Sequence, residues 1–396
     1  MRPEQHASLR DEAALLDPDQ DPFSHGAVRS LAARFGTPLF LIDAQRVREQ
    51  YAALAAALPG VDLHYALKPL PHPAVVATLA AAGASFDLAT TGEVQLVQGL
   101  GVAPERCIHT HPVKRDIDIR NALQAGITRF VVDNPDEMRK FARHARRASL
   151  LIRLSFRSPD ARCDLSRKFG CDPLAVGELL RLAARLSLRI EGFSFHVGSQ
   201  ARSPDTYVEA IDSCRALLPE AQALGHTATL IDIGGGFPVD YGGAPVDIHS
   251  FCAPIRAALA RLPAGVRVIA EPGRFIVAPA AIEVVSVMGR ARRDGRWWYY
   301  LDDGLYGCFN GQLYDHVRYP VSALDGRGPL HPSVLAGPTC DSIDVIDENL
   351  ELPLLEAKDL LVGSMMGAYT WCSATEFNFF RKAQAIAVDR GRWLRA

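Results

Sequence analysis

From about residue 44 onward, short apolar runs rich in β-branched and aromatic residues alternate with longer stretches whose apolar positions recur every three to four residues. The short runs are 63–68 (LHYALK), 85–90 (SFDLAT), 107–112 (CIHTHP), 129–134 (RFVVDN), 150–155 (LLIRLS), 190–197 (IEGFSFHV), 229–234 (TLIDIG) and 267–271 (RVIAE). Their length and composition predict strands, and the segments 73–82, 92–99, 135–146, 174–185, 204–224 and 248–262 between them predict helices. Eight β-then-α units in succession predict an α/β fold in which a parallel sheet closes into a (β/α)8 barrel. The span 44–280 fits the roughly 250 residues of such a barrel. The same elements would also build an open, doubly wound sheet.

Beyond residue 280 the texture changes. The runs 282–288 (IEVVSVM), 296–301 (RWWYYL), 333–336, 360–362 and 385–388 are short and separated by turns, with few helical periods, which predicts an antiparallel β domain. Residues 38–42 (PLFLI) are placed to add a strand to it. Residues 1–28 are polar and aperiodic and read as a loosely held extension. The expected organisation is therefore 1–43, an extension plus a strand joining the β domain; 44–280, the barrel; and 281–396, the β domain.

Composition narrows the class. In 396 residues, 48% hydrophobic and 22% charged, the formal net charge is −2, with no basic block. That balance argues against nucleic-acid or polybasic membrane-surface binding. No apolar run approaches the roughly 20 residues of a spanning helix, and the first twenty residues carry no secretory h-region. The eight cysteines, including Cys163, are scattered without a C-x-x-C pair, as expected of reduced thiols in a cytoplasmic enzyme.

The candidate chemistry sits where predicted strands end, the catalytic mouth of a barrel. Lysine is scarce, and Lys68 closes the strand His64-Tyr65-Ala66-Leu67. A partly desolvated lysine there suits attack on a carbonyl carbon; the alternative is a strand-end lysine reaching out to solvent. Asp232-Ile233-Gly234-Gly235-Gly236 follows another strand, and its glycines let backbone N–H groups converge on an anion, or merely form a turn. Glu271-Pro272-Gly273-Arg274 offers a forked cation for a phosphate and a carboxylate for a heterocyclic nitrogen, or a surface ion pair. His196, beside Gly198 and Ser199, reads equally as a core histidine. No H-E-x-x-H, paired-cysteine or G-x-S-x-G motif is present, so zinc and serine-hydrolase chemistry find no support and no metal is expected. An amine, a phosphate cradle and a partner for a pyridine nitrogen are together what pyridoxal phosphate requires.

The motifs Tyr65–Lys68, Ser85–Ala89 with Glu93, Ser166–Gly170, Ser194–Ser199, Asp232–Pro238, Glu271–Arg274, Gly337–Asp341 and Gly367–Thr370 resemble, in order, those of the pyridoxal-phosphate-dependent decarboxylases of the alanine-racemase fold. The likeness is greatest to the ornithine decarboxylases and runs from about residue 37 to 388. It implies that Lys68 holds the cofactor covalently, His196 stacks on its ring and Glu271 keeps the ring nitrogen protonated. Gly235, Gly236, Ser199, Arg274 and Tyr369 would hold the phosphate, with Asp87 and Arg153 near the lysine and ring. Cys340 would lie across a homodimer interface and act as the proton donor, so that the two subunits share their active sites.

The resemblance also bears on substrate. Tyr314-Asp315-His316 and Cys340-Asp341 match the acidic positions that receive a distal ammonium, implying a basic diamino acid, ornithine or lysine. Phe377 and the bulky Asn378-Phe379-Phe380 that follow line the approach in the family, which leaves open a larger substrate such as a citryl-diamino acid in siderophore assembly. Two rivals share the fold. A racemase would need a tyrosine at Cys340 and an arginine at Glu271, and an antizyme-inhibitor-like regulator would lack the cofactor residues that are present here.

Overall fold

The computed structural model describes residues 11–157, 166–243 and 246–395; Cys163 and the first ten residues of the expected extension lie outside them. The chain divides into two compact units, one comprising Gln50–Pro238 and Val246–Phe275, the other Met1–Glu49, Val239–Pro245 and Ile276–Ala396. The strands, in chain order, are β1 (Asp11–Ala14), β2 (Leu39–Asp43), β3 (Val61–Ala66), β4 (Ser85–Leu88), β5 (Cys107–His109), β6 (Arg129–Val132), β7 (Ser149–Leu154), β8 (Arg189–Phe195), β9 (Leu230–Asp232) and β10 (Arg267–Ala270). They continue as β11 (Ala281–Arg293), β12 (Arg296–Leu301), β13 (Val321–Ala323), β14 (Arg327–Ala336), β15 (Val345–Leu354), β16 (Leu360–Gly363), β17 (Gln384–Asp389) and β18 (Arg392–Leu394).

In the first unit β3 to β10 form a closed parallel barrel in the order β10-β3-β4-β5-β6-β7-β8-β9. The open-sheet alternative is thereby excluded, and all eight strands fall on the eight apolar runs. Ile108, Val131, Leu151, Leu230 and Ile269, each from a different strand, pack together as one buried cluster. Near the strand starts, Glu191 accepts from Arg129 Nε at 3.1 Å, Arg267 Nη2 at 2.9 Å and Ser149 Oγ at 2.8 Å, tying four strands together.

The second unit holds a ten-stranded sheet with the path β1-β18-β17-β2-β11-β12-β14-β15, to which β16 and β13 are added beside β11. It is mixed rather than wholly antiparallel, because β2 runs parallel to β17 and β12 parallel to β14. Its core packs Leu39 and Leu41 against Ile282, Val284, Ile386 and Val388. The expected loose extension is corrected here. β1 pairs with β18, and the helix His25–Phe35 buries Ala27, Val28, Leu31 and Ala32 in that core. β15 was not legible in the sequence: its polar VIDENLELPL pairs only with β14 and fully buries just Ile346 and Leu352.

One glycine is demanded by packing. β7 and β8 shift register at Leu150/Leu151, and Gly192 then faces Leu230 on β9. A Cβ at Gly192 would stand 1.7 Å from the Leu230 carbonyl oxygen, an overlap that only backbone movement relieves. Gly192→Ala should therefore destabilise the barrel by about 1–3 kcal/mol, the usual cost of overpacking, measured as a lower urea midpoint at unchanged slope.

Candidate active site

The barrel encloses a cavity of about 170 Å³ lined by Lys68, Asp87, Ala89, Glu93, Thr110, His111, Pro112, Arg153, Phe169, His196 and Glu271. Five of these were singled out from the sequence as cofactor residues, and each sits on or just past a barrel strand. Lys68 follows β3, whose end is fixed by the Ala66 N–H donating to Pro272 O at 3.1 Å and the Leu67 N–H donating to Asp87 O at 3.2 Å. Asp87, on β4, accepts a hydrogen bond from the Thr110 hydroxyl. Burial, reinforced by Glu271 and opposed by Lys68, raises its carboxyl well above the usual range.

Glu271 follows β10 and is nearly fully buried. Burial first, then Asp232, holds its carboxyl well above the ordinary range, while Lys68 and Arg153 pull the other way. Asp232, at the end of β9, accepts the Gly234 N–H at 2.9 Å through Oδ1, and burial pushes it up to about 7. Arg153, on β7, lays its guanidinium 5.5 Å from the Phe169 ring centroid. His196 accepts the Gly198 N–H through Nδ1 at 3.0 Å. Burial, Lys68 and Arg153 together keep its imidazole well below the normal value, so it is neutral at working pH.

The glycine cluster is built for close approach. Cβ atoms at Gly235 and Gly236 would lie 2.5 Å from Glu271 O and 2.3 Å from Gly198 O respectively. Gly236, with φ near +109°, also adopts a conformation that side chains disfavour. Arg274, at the start of the short helix Arg274–Val277, donates from Nε to Ser199 Oγ at 3.2 Å. Arg153 Nε is buried with no hydrogen-bond partner among the described residues, while the Asp232 and Glu271 carboxyls share a hydrogen bond. A lysine amine, a neutral imidazole face, buried carboxyls and side-chain-free backbone fit the phosphorylated pyridine expected from the sequence.

The remaining candidates form a group on the β unit. Cys340 is exposed, and its N–H donates to Asn378 Oδ1 at 3.2 Å. Asp341 accepts the Tyr306 hydroxyl at 2.5 Å, which holds its carboxyl below the ordinary range. The Tyr306 ring stacks on Phe377 with centroids 4.3 Å apart. Tyr314 is largely exposed, and Asp315 follows it, its N–H donating to Gly311 O at 2.9 Å. Tyr369 has φ near +58°, and its carbonyl accepts the Ser373 hydroxyl at 3.2 Å.

The sequence reading gave no site role to Thr110, His111 or Tyr306, and named Phe169 and Asn378 only through the motifs that contain them. Thr110, His111 and Phe169 line the cavity, and Tyr306 and Asn378 brace the Cys340-Asp341 pair. Thr110 and His111 were legible in principle, because they directly follow β5. Lys114 is wholly buried, donating from Nζ to the carbonyls of His111 at 2.8 Å, Pro112 at 3.3 Å and Val131 at 2.6 Å, which clamps this loop.

Comparison with known proteins places the chain. Residues 44–278 match the model of the pyridoxal-dependent decarboxylase family, pyridoxal binding domain. The lysine/ornithine decarboxylase of Selenomonas ruminantium is 38% identical over 367 residues, 92% of this chain and 93% of that protein. Crystal structures of the Vibrio vulnificus lysine/ornithine decarboxylase with putrescine or cadaverine are 52% identical, with TM-scores of 0.88. They cover 92% of this chain and 98% and 96% of theirs. Antizyme inhibitor 2 of Xenopus laevis is 34% identical, over 89% of this chain and 82% of its own. The chain belongs to the pyridoxal-dependent decarboxylase family. Within it, the protein is a pyridoxal-phosphate-dependent decarboxylase.

Glu271→Gln should have opposite effects on stability and turnover. Without a carboxyl beside Asp232, the cofactor-free protein should melt at a higher temperature at neutral pH. Turnover should fall by about 10²-fold or more, the usual scale for a lost proton-managing group. Scanning calorimetry and CO2 release measure the two effects.

Proposed function

We propose that this protein decarboxylates ornithine and lysine to putrescine and cadaverine, working as a homodimer with shared active sites in the cytoplasm. The observation that carries the substrate reading is Asp341. Its carboxyl is kept anionic by the Tyr306 hydroxyl, beside the Cys340 thiol, and so offers a charge to a cationic side chain. Asp315 supplies a second carboxylate. The names of the similar lysine/ornithine decarboxylases, and the two diamines in the Vibrio structures, support the same class.

Bound in the barrel cavity, pyridoxal phosphate supplies an electron-poor ring that accepts the electron pair left when CO2 departs. Lys68 is the residue to hold it covalently, and Gly235, Gly236, Ser199, Arg274 and Tyr369 are those to hold its phosphate. Glu271 keeps a proton at the ring nitrogen, and neutral His196 offers an aromatic face. Cys340 delivers the proton that replaces the carboxyl group. The presence of all these residues favours an enzyme over a non-catalytic regulator.

The dimer reading is supported by the exposed aromatic surface around Cys340. Phe379 is 98% exposed, and Tyr314, Phe377 and Phe380 are exposed as well, an apolar set unusual for free solvent. Among the described residues the cysteines are free, and no helix there is long and apolar enough to cross a membrane.

Two experiments test this reading. Lys68→Ala and Cys340→Ala should each be nearly inactive in diamine formation, yet mixed and re-equilibrated they should regain partial activity, because one kind of hybrid site carries both native residues. A mixture no more active than its parts would count against shared sites. Second, Asp315→Asn and Asp341→Asn should each raise KM for ornithine and lysine, by about 10-fold or more if the ammonium is desolvated, while kcat falls less. A citryl-diamino acid, anionic at its distal end, should gain or be indifferent. Unaltered ornithine and lysine kinetics in both variants would reject the diamino-acid assignment.

A further inference from the structure

Three acidic groups converge in the β unit: Glu283 on β11, Asp303 just after β12, and Cys308 in the turn Cys308–Asn310. All three are buried, and one carboxylate oxygen from each acid and the Cys308 Sγ lie within 4.8 Å of one another. Asp303 is well served by donors. Its Oδ1 accepts the Gly304 N–H and its Oδ2 the Cys308 N–H, both at 2.9 Å. Glu283 is poorly served: no N–H or O–H group among the described residues meets either carboxylate oxygen, and its side-chain partners are the Asp303 carboxyl and the weakly donating Cys308 thiol. Its register neighbours, Phe40 on β2 and Gly363 on β16, bring no charge or side-chain donor.

An ionised carboxylate in that position would carry a large uncompensated desolvation cost, whereas a carboxylic acid needs only one acceptor for its proton. Asp303, already stabilised by two N–H donors, is that acceptor. We propose that Glu283 remains protonated at neutral pH and shares its proton with Asp303, and that its loss to alkaline solvent loosens loop 303–310. The other groups facing the pair are mixed in sign, because the Cys308 thiol, by hydrogen bonding, pulls Glu283 down against burial and the neighbouring acids. Burial, then Asp303, raises the Glu283 carboxyl, and Asp302 adds to this; the Cys308 thiol is likewise raised by burial and the two acids. Lys382 is the cation facing Cys308 and works in the opposite direction.

The loop has a task. It carries Tyr306, whose carbonyl accepts from the Thr375 N–H at 2.8 Å and whose hydroxyl holds Asp341. Loosening it would release the bracing of the Cys340-Asp341 pair. Resting on the proposed diamino-acid reaction, this makes a brake on output: each turnover replaces a carboxyl group by a proton taken from the medium, so accumulated product raises pH in the direction that opens the latch.

The sign of the linkage is fixed. A carboxyl held above its unfolded value contributes stability at low pH that is lost as pH rises toward its folded value. The test compares the holoenzyme with Glu283→Gln and Glu283→Met from pH 6 to 9. Wild type should lose stability with rising pH more steeply than either variant, by up to about tenfold in the unfolding equilibrium per pH unit. Hydrogen exchange in residues 303–310, corrected for base catalysis, should accelerate with pH in wild type alone. Parallel stability profiles in all three proteins would overturn the proposal, as would stoichiometric zinc that is lost on substitution, which would make the three groups a metal site. If neither variant folds, the wild-type exchange profile decides: protection independent of pH rejects the latch. None of these readouts uses turnover, so failure of the substrate assignment and failure of the latch are separable.

Discussion

Charge held out of water is the constraint on which this protein is organised. Asp87, Asp232, Glu271, Arg153 and His196 lie at the ends of parallel strands, in a space small enough that Glu271 acts on Asp87, Asp232 on Glu271, and Arg153 on Glu271 and His196. Left alone, such an arrangement is expensive, because buried carboxyls are tolerated only with protons or partners. A barrel meets this need by bringing many strand ends, distant in sequence, to one point and fixing them through backbone hydrogen bonds. The Ala66–Pro272 and Leu67–Asp87 bonds are instances: they fix where Lys68 starts without using any functional side chain.

Much of this was legible in the sequence. The eight barrel strands announced themselves because strands covered on both faces must be nearly continuously apolar, as LLI at 150–152 and LI at 230–231 are before each run reaches Arg153 or Asp232. The cavity residues at their ends followed from the same periodicity together with matched motifs. What stayed hidden depends on the surroundings rather than on the residue. β15 is a polar strand at the end of the sheet path whose pattern resembles a loop, and the helix Asp116–Gln124, with DIDIRNALQ, carries too few apolar positions to stand out. The N-terminal segment looked unstructured because its anchorage is to the far end of the chain. Tyr306 escaped for a similar reason, since its importance arises from a contact with Asp341, 35 residues away, while Asn378 was named for the approach but not for its bond to Cys340.

The two units use buried carboxyls differently. In the barrel they face a cavity that a ligand enters, whereas Glu283 and Asp303 lie among strands and loop. The first set is a functional liability that a bound ligand relieves, the kind of local cost that active sites retain. In the second, Glu283 is fully buried and Asp303 stands at the wall of a small cleft shared with Tyr306 and Phe377, so the pair answers first to protons.

The order of the strands in the β unit has a consequence for how the chain is made. β2, near the start, lies between β11 and β17, and β1 pairs only with β18, which ends at Leu394. The last barrel strand is complete by Ala270, over a hundred residues before β17 begins at Gln384. During synthesis from the N-terminus the barrel sequence is therefore available to fold while β2 still has an unpaired edge and β1 has no partner at all. Such long-range closure is slow and leaves strand edges exposed in the meantime. A chain ending short of residue 384 would keep every barrel strand yet leave β2 permanently open on one side, a ready template for pairing with other chains.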